Sequence, residues 1–299
     1  MSGTDVGTGE SIAITTGRGG LRRLLVTIGV ANAALYAMYV GVLQVLLPLQ
    51  IEHIDPARKV ALLGLVSGVS AIFAAVFNPL GGALSDRTRS RFGRRAPWLT
   101  GAAGGVLVAL AVLGSAGSVL MVAVGWSLVQ AVANLYQAAL TAVVPDRVAE
   151  RRRGAASGVV GVATSLGAVA GVGLAGRFTA HLAWGYLALG AVLALGAIVF
   201  VTATTDPSSA GAPRPVRERL GPLARLTRFL SALRQHDFGW VFAGRAAMIL
   251  GYFLVTGFEL YILTDYVRLP AGMAPATGVI ILAAISTLCS ILAAAIAGP

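Results

Sequence analysis

The chain has 299 residues, of which 57% are hydrophobic and 12% charged, and its mean hydropathy is +0.81. That leaves too little polar surface to cover a water-soluble globule of this length, so the chain belongs in a lipid bilayer. The net charge of +11 is almost all arginine held in short stretches between apolar runs, a pattern of membrane topology and not of nucleic-acid binding. The single cysteine, Cys289, excludes a disulfide framework and a thiol-rich metal site.

Residues 1–17 are rich in Gly, Ser and Thr and lack a sustained apolar period, which predicts a disordered tail over about residues 1–20. Arg18, Arg22 and Arg23 lead into the first apolar run in the manner of an export signal, but seven further runs follow, which identifies an uncleaved first span. Crossing the hydrocarbon core takes about 20 apolar residues. On that length, spans are predicted near 24–50, 60–83, 98–114, 118–144, 154–177, 182–203, 239–264 and 275–297. The expected fold is an all-α polytopic membrane protein: a six-helix bundle over 21–203, a linker over 204–238, and two helices of a second bundle over 239–299.

Basic residues cluster before span one, between spans two and three (Arg87, Arg89, Arg91, Arg94, Arg95), between four and five (Arg147, Arg151, Arg152, Arg153) and between six and seven. The opposite loops hold only Arg58, Lys59, Arg177 and Arg268. The first set is therefore expected on the cytoplasmic side, with the N-terminus, in a cell inner (plasma) membrane. In the linker, Leu223, Leu226, Phe229, Leu230 and Leu233 alternate with basic residues, which fits either a short helix on the inner leaflet or a solvated connection. The sequence AIFAAVFNP ending at Pro79 is echoed by ILAAAIAGP ending at Pro299, a weak internal repeat of the kind found in secondary transporters. In the first copy the chain continues into LGGALSD. The second copy stops there, which predicts a fragment or truncated product whose partners in a full-length chain are the missing C-terminal helices, and which is inactive alone.

Polar residues inside the spans are few. Asn32, Tyr36 and Tyr39 in span one, and Gln130, Asn134 and Gln137 in span four, each fall at i, i+4, i+7 and share a helix face. Hydrogen-bonding side chains mixed with aromatic rings suit a hydroxylated substrate, and Asn and Gln equally serve to bond neighbouring membrane helices. In span seven, Arg245, Tyr252, Thr256 and Glu259 fall within roughly 60° of one another at about 100° per residue. Intramembrane charges are costly and generally face a cavity or partner, which makes Glu259 the candidate for proton coupling or for accepting a substrate hydroxyl. Arg245 lies about 21 Å away along the helix, too far to pair with it, and can snorkel to the interface. In span five, Gly167 and Gly171 form a small-xxx-small face for a close crossing. His53, His181 and His236 are isolated, so no metal site is expected, and no phosphate loop is present, so ATP is not the direct energy source.

The stretch from Asn78 to Trp98, NPLGGALSDRTRSRFGRRAPW, is a hydrophilic, arginine-dense turn between two apolar runs. Its glycines, Gly81 and Gly82, favour close helix approach, and Asp86 with the arginines can form a charged latch. Gly82 to Arg87 followed by Gly93, Arg94 and Arg95 resembles the signature loop of the major facilitator superfamily. With five residues between Arg87 and Gly93 where the commoner signature has one, it is similar more narrowly to the sucrose:proton symporters and the glycoside-pentoside-hexuronide carriers. NLYQAALTAVVPDRV from Asn134, the following ERRRGAASG, and GYFLVTGFELYILTDY from Gly251 agree. The resemblance implies a signature-loop gate in which Gly82, Asp86, Arg87, Gly93, Arg94 and Arg95 act with Asp146 and Arg147 at the end of span four. It also implies no enzyme activity, no cofactor, and alternating-access transport of a sugar or glycoside, for which the polar faces of spans one, four and seven supply the candidate substrate-binding residues Asn32, Tyr36, Gln130, Asn134, Gln137, Tyr252 and Glu259. The paired intramembrane aspartates of the sodium-coupled members are absent, which puts sodium coupling in doubt. The buried span-four arginine of proton-driven drug exporters, the alternative within the superfamily, is absent too. A lipid-modifying membrane enzyme would need clustered acids, a metal cage or an activated nucleophile at membrane depth, and none is visible.

Overall fold

The computed structural model describes residues 18–204, 231, 236–270 and 272–297. The expected N-terminal tail and nearly all of the linker, including its candidate surface helix, lie outside them. Helix α1 (Arg18–Gly41) continues through a wider π turn (Val42–Leu46) into α2 (Leu47–Ile54). The widening has a local cause: Pro48 has no N–H for the carbonyl of Gln44, and Leu47 just before it donates to Val42, five residues back. A single 3-10 turn, Pro56–Arg58, is capped by the Asp55 side chain, which accepts from the Arg58 backbone N–H and leads into α3 (Lys59–Arg87).

Four more long helices follow the signature loop. Helix α4 (Ala96–Gly114) opens with Pro97 in its first turn, where a missing N–H costs nothing, and α5 (Val119–Thr141) is capped by Ser118, which accepts from Met121 N–H. A short α6 (Val143–Arg147) precedes α7 (Arg153–Gly176) and α8 (Leu182–Ala203). Beyond the linker come α9 (His236–Thr256), α10 (Glu259–Asp265) and α11 (Pro275–Ala297). Among the described residues there is no strand, and six stretches are long and apolar enough to cross a membrane: Gly19–Ile54, Pro56–Arg87, Ala96–Gly114, Val119–Arg147, Glu150–Gly176 and Leu182–Ala203. They match the first six expected spans in order.

Two expectations are corrected. The predicted second span ends at 83, whereas α3 continues through Asp86 and Arg87, so that only Thr88–Arg95 is loop. The predicted seventh span is broken at Gly257 and Phe258, where Gly257 N–H bonds Phe253 and Phe258 N–H bonds Val255 before α10 begins. Glycine is a weak helix former, and here it marks the break. A uniform 100° per residue therefore does not carry from Thr256 to Glu259, and the side chains of Arg245 and Tyr252, the other two members of the expected stripe, lie outside the described residues.

Helix α1 packs against α7 and α8, α3 against α5, α4 against α5 and α8, and α11 against α7. The α1–α7 crossing rests on glycine, as its spacing predicts: a Cβ at Gly167 or Gly171 would strike the backbone of Ala33 or Ala37. The interior holds Trp126, Tyr136, Tyr186 and Phe200, all fully buried. Outside, Val108 (64% exposed), Leu120 (74%), Val124 (62%) and Leu195 (61%) form an apolar surface suited to hydrocarbon.

Candidate functional site

Halfway along the bundle three helices place polar side chains together. Asn78 of α3 donates through Nδ2 to Asn134 Oδ1 of α5 at 3.2 Å. Asn134 Nδ2 in turn donates to the Tyr39 hydroxyl of α1 at 3.2 Å and to the Gln130 carbonyl one turn back at 2.8 Å. Tyr36 and Tyr39 stand edge to face, ring centroids 6.3 Å apart. Asn134 is buried, and Tyr36, Tyr39, Gln130 and Gln137 are half-buried around it. The cluster thus offers amide donors, acceptors and ring faces in an otherwise apolar setting.

Asn32 does not join it. Its Nδ2 donates to Thr164 Oγ1 at 2.7 Å and to the Val160 carbonyl at 3.2 Å, both on α7, and the residue is 4% exposed. Its amide donor therefore serves the α1–α7 contact, the helix-bonding reading of that position. Asn78 was missed as a site residue because it precedes the signature loop and shares no i, i+4 pattern; its place beside Asn134 follows from the pairing of α3 with α5.

At the arginine-rich end the signature residues meet around Arg95, which is 3% exposed. Its Nη2 bonds Asp86 Oδ1 at 2.6 Å and Asp146 Oδ2 at 2.8 Å, its Nε bonds the same Asp146 oxygen at 3.0 Å, and Nη1 donates to Ser85 Oγ. Arg94 lies 3.6 Å from Asp146. Gly93 turns the chain with φ +88°, a left-handed conformation that favours glycine, and Trp98 Nε1 donates to Thr88 Oγ1 at 2.7 Å across the loop. Asp86 and Asp146 thus converge as expected, but on Arg95; Arg87 is exposed and makes no ion pair among the described residues. Arg147 lies against the Phe200 ring, 5.9 Å from its centroid. Of the two glycines, Gly81 meets Leu135 of α5 closely, whereas a Cβ at Gly82 would meet nothing within 4 Å among the described residues, so the close approach expected of both is seen there at Gly81.

A second charged group lies at the other end of α3, about 40 Å from Asp86 at 1.5 Å per residue. Lys59 Nζ bonds Glu52 Oε1 and Asp265 Oδ1, each at 2.9 Å, and sits 4.8 Å from the Tyr261 ring centroid. The Tyr261 hydroxyl donates to the Pro48 carbonyl at 2.7 Å. Lys59 and Pro48 belong to the first six-span unit and Asp265 and Tyr261 to the region beyond the linker, so these bonds tether the two. In the sequence Lys59 is one loop charge among several, and no spacing relates it to a residue 206 positions later.

Nearby, Gln50 Nε2 donates to the Leu113 and Ala116 carbonyls at 2.9 and 3.1 Å and its Oε1 accepts from Tyr186. This knot joins α2, α8 and the α4–α5 turn. Glu259 is half-buried at the start of α10 and makes no ion pair or hydrogen bond among the described residues. The side chains of Arg245 and Tyr252 lie outside the described residues. No group of three metal-ligating residues occurs among the described ones.

Residues 26–299 match the Major Facilitator Superfamily. An uncharacterized symporter of Synechocystis sp. is 56% identical over 41 residues, which is 14% of this chain and 8% of that protein. Among solved structures, a bacterial homolog of the human lysosomal transporter Spinster, in an inward-facing and unoccupied conformation, superposes with TM-score 0.65 at 15% identity, over 92% of this chain and 61% of that one. The peptide transporter POT in complex with sulfate gives TM-score 0.61 at 15% identity, over 91% of this chain and 68% of that one. The chain thus spans less than two thirds of the length of the first relatives it matches. At these identities the structures share its fold, and the match over nearly the whole chain, together with the glycine-turned loop centred on Arg95, places it in the Major Facilitator Superfamily.

Proposed function

We propose that the chain forms part of a secondary carrier for a small hydroxylated solute, a sugar or glycoside, working by alternating access in the cell inner membrane with its arginine-rich end in the cytoplasm. The observation that carries this reading is the meeting of Tyr39, Asn78 and Asn134 on three helices. An amide pair 3.2 Å apart is a bond that solute hydroxyls can replace, donor for donor and acceptor for acceptor, and the Tyr36 and Tyr39 rings offer faces for the C–H side of a sugar. The narrower resemblance of the signature loop to sugar carriers supports the substrate class, and the symporter named among the relatives supports coupled transport. Glu259, a half-buried carboxyl without a partner among the described residues, is the proposed proton-coupling group.

Solute binding also has to be linked to movement of the two units. Lys59 holds them together at the end opposite the arginines, and release of its bond to Asp265 lets that end open. Weak, breakable contacts suit this role, since a solute can shift the balance only by its differential affinity for the two arrangements.

Equilibrium binding to the purified chain tests the substrate class, with labelled sucrose and other glycosides set against dipeptides and lipophilic cations. Saturable glycoside binding that falls about fivefold or more in Asn134→Ala is expected, since a lost buried hydrogen-bonding site typically costs about 1–3 kcal/mol. Retention of peptides or lipophilic cations with no glycoside bound would favour an exporter or another substrate class and overturn the reading.

A further inference from the structure

At the arginine-rich end, α1 and α7 part to leave a cleft of about 450 Å³ lined by Leu21, Arg22, Leu25 and Val26 of α1, with Arg152 and Val159 opposite. The helices are held together farther in, where Asn32 bonds Thr164 and a Cβ at Gly29 would touch Val159 at 3.4 Å. Toward the arginines the contact lapses: among the described residues, a Cβ at Gly154 or Gly158 would meet nothing within 4 Å. We propose that this cleft binds one anionic phospholipid, its phosphate between Arg22 and Arg152 and the start of an acyl chain along Leu21, Leu25, Val26 and Val159.

Three observations select this occupant. Arg22 and Arg152 are exposed, and neither forms an ion pair among the described residues, although Glu150 is two residues from Arg152. Two guanidinium groups on one cleft present a concentrated positive charge that a phosphate diester complements with bidentate bonds. The membrane-length stretches begin at Gly19 and Glu150, so both arginines stand at headgroup depth, where juxtamembrane basic residues attract anionic lipid. The four aliphatic side chains give no purchase to a soluble anion but continue an acyl chain into the bilayer. The site lies apart from the Arg95 cluster and uses none of its residues.

Native mass spectrometry of the purified chain, titrated with phosphatidylglycerol or with phosphatidylcholine of the same acyl chains, tests the assignment. One tightly held phosphatidylglycerol is expected, with affinity lowered about tenfold or more in Arg22→Ala/Arg152→Ala, in keeping with the attraction of each basic residue for an anionic surface. The control pair Arg89→Ala/Arg91→Ala removes the same charge from the same end and should change affinity less than twofold. Val26→Trp, which fills the apolar wall without touching charge, should also weaken binding. Equal losses in both arginine pairs would show diffuse attraction, equal binding of phosphatidylcholine would show an uncharged groove, and displacement by millimolar inorganic phosphate would show a soluble-anion site; each of these would overturn the proposal.

Discussion

Arg95 carries five N–H donors on a rigid fork and, at 3% exposed, has little water to give them to. Asp86, Asp146 and Ser85 accept four hydrogen bonds from it, so the residue ties the end of α3 to α6 across the start of α4. The Asp86 side chain is 59% exposed and that of Asp146 28%, so water can reach the carboxylates that Arg95→Ala leaves behind, and the variant is expected to cost about 1.5–3 kcal/mol, the range for charge-assisted hydrogen bonds. Arg95→Lys should recover part of that, because a single ammonium cannot reach the three acceptors in the same plane. By contrast, Arg58 pairs with Asp55 while its side chain is 74% exposed, and Arg58→Ala should cost less than about 1 kcal/mol. Unfolding of the three variants in one detergent ranks them, and a loss in Arg58→Ala equal to that in Arg95→Ala would contradict the reading. That Asp86 and Asp146 belong together was legible through the family likeness. That Arg95, and not the adjacent Arg87, takes them was not, because the choice depends on the direction in which Gly93 turns the chain.

Glycine spacing on α7 shows what a helix-level pattern can convey. Gly167 and Gly171 stand one turn apart and press on the backbone of α1, whereas a Cβ at Gly173 would meet nothing within 4 Å among the described residues. Gly171→Ala is therefore expected to force the helices apart and abolish correct assembly, while Gly173→Ala should be neutral or slightly stabilising through helix propensity, about 1 kcal/mol at most. Size-exclusion profiles and thermal midpoints distinguish the pair, and equal tolerance of both would contradict the crossing. The existence and order of the first six spans were legible because about 20 apolar residues between arginine clusters leave few other arrangements. The break after Thr256 and the π turn before Pro48 were not, since apolar periodicity is insensitive to a single residue of slippage. The break displaced the expected geometry of span seven, whereas the stripe of Asn32, Tyr36 and Tyr39 lies wholly in regular α1 and is divided because its two ends meet different neighbours, α7 at Asn32 and α5 at Tyr39.

For the whole molecule, the charged groups at the two ends of α3 have different reach. The Arg95 cluster is internal to the first six-span unit, whereas Lys59 connects that unit to α10. Only the first has a sequence signature; the second depends on two distant segments meeting and emerges from tertiary packing alone. On the proposed alternating-access reading, the tether between Lys59 and Asp265 keeps the Asn134 cluster closed on its own side. Substituted-cysteine labelling measures this directly. With Cys289→Ser as background, Gln137→Cys beside the Asn134 cluster should react with a membrane-impermeant maleimide only from the arginine-rich face in sealed vesicles of defined orientation. Adding Lys59→Glu, which sets like charges against Glu52 and Asp265, should make the same position reactive from the opposite face, and a further Asp265→Lys should restore part of the protection. Labelling from the Lys59 face with the tether intact, or an unchanged pattern in Lys59→Glu, would contradict the account.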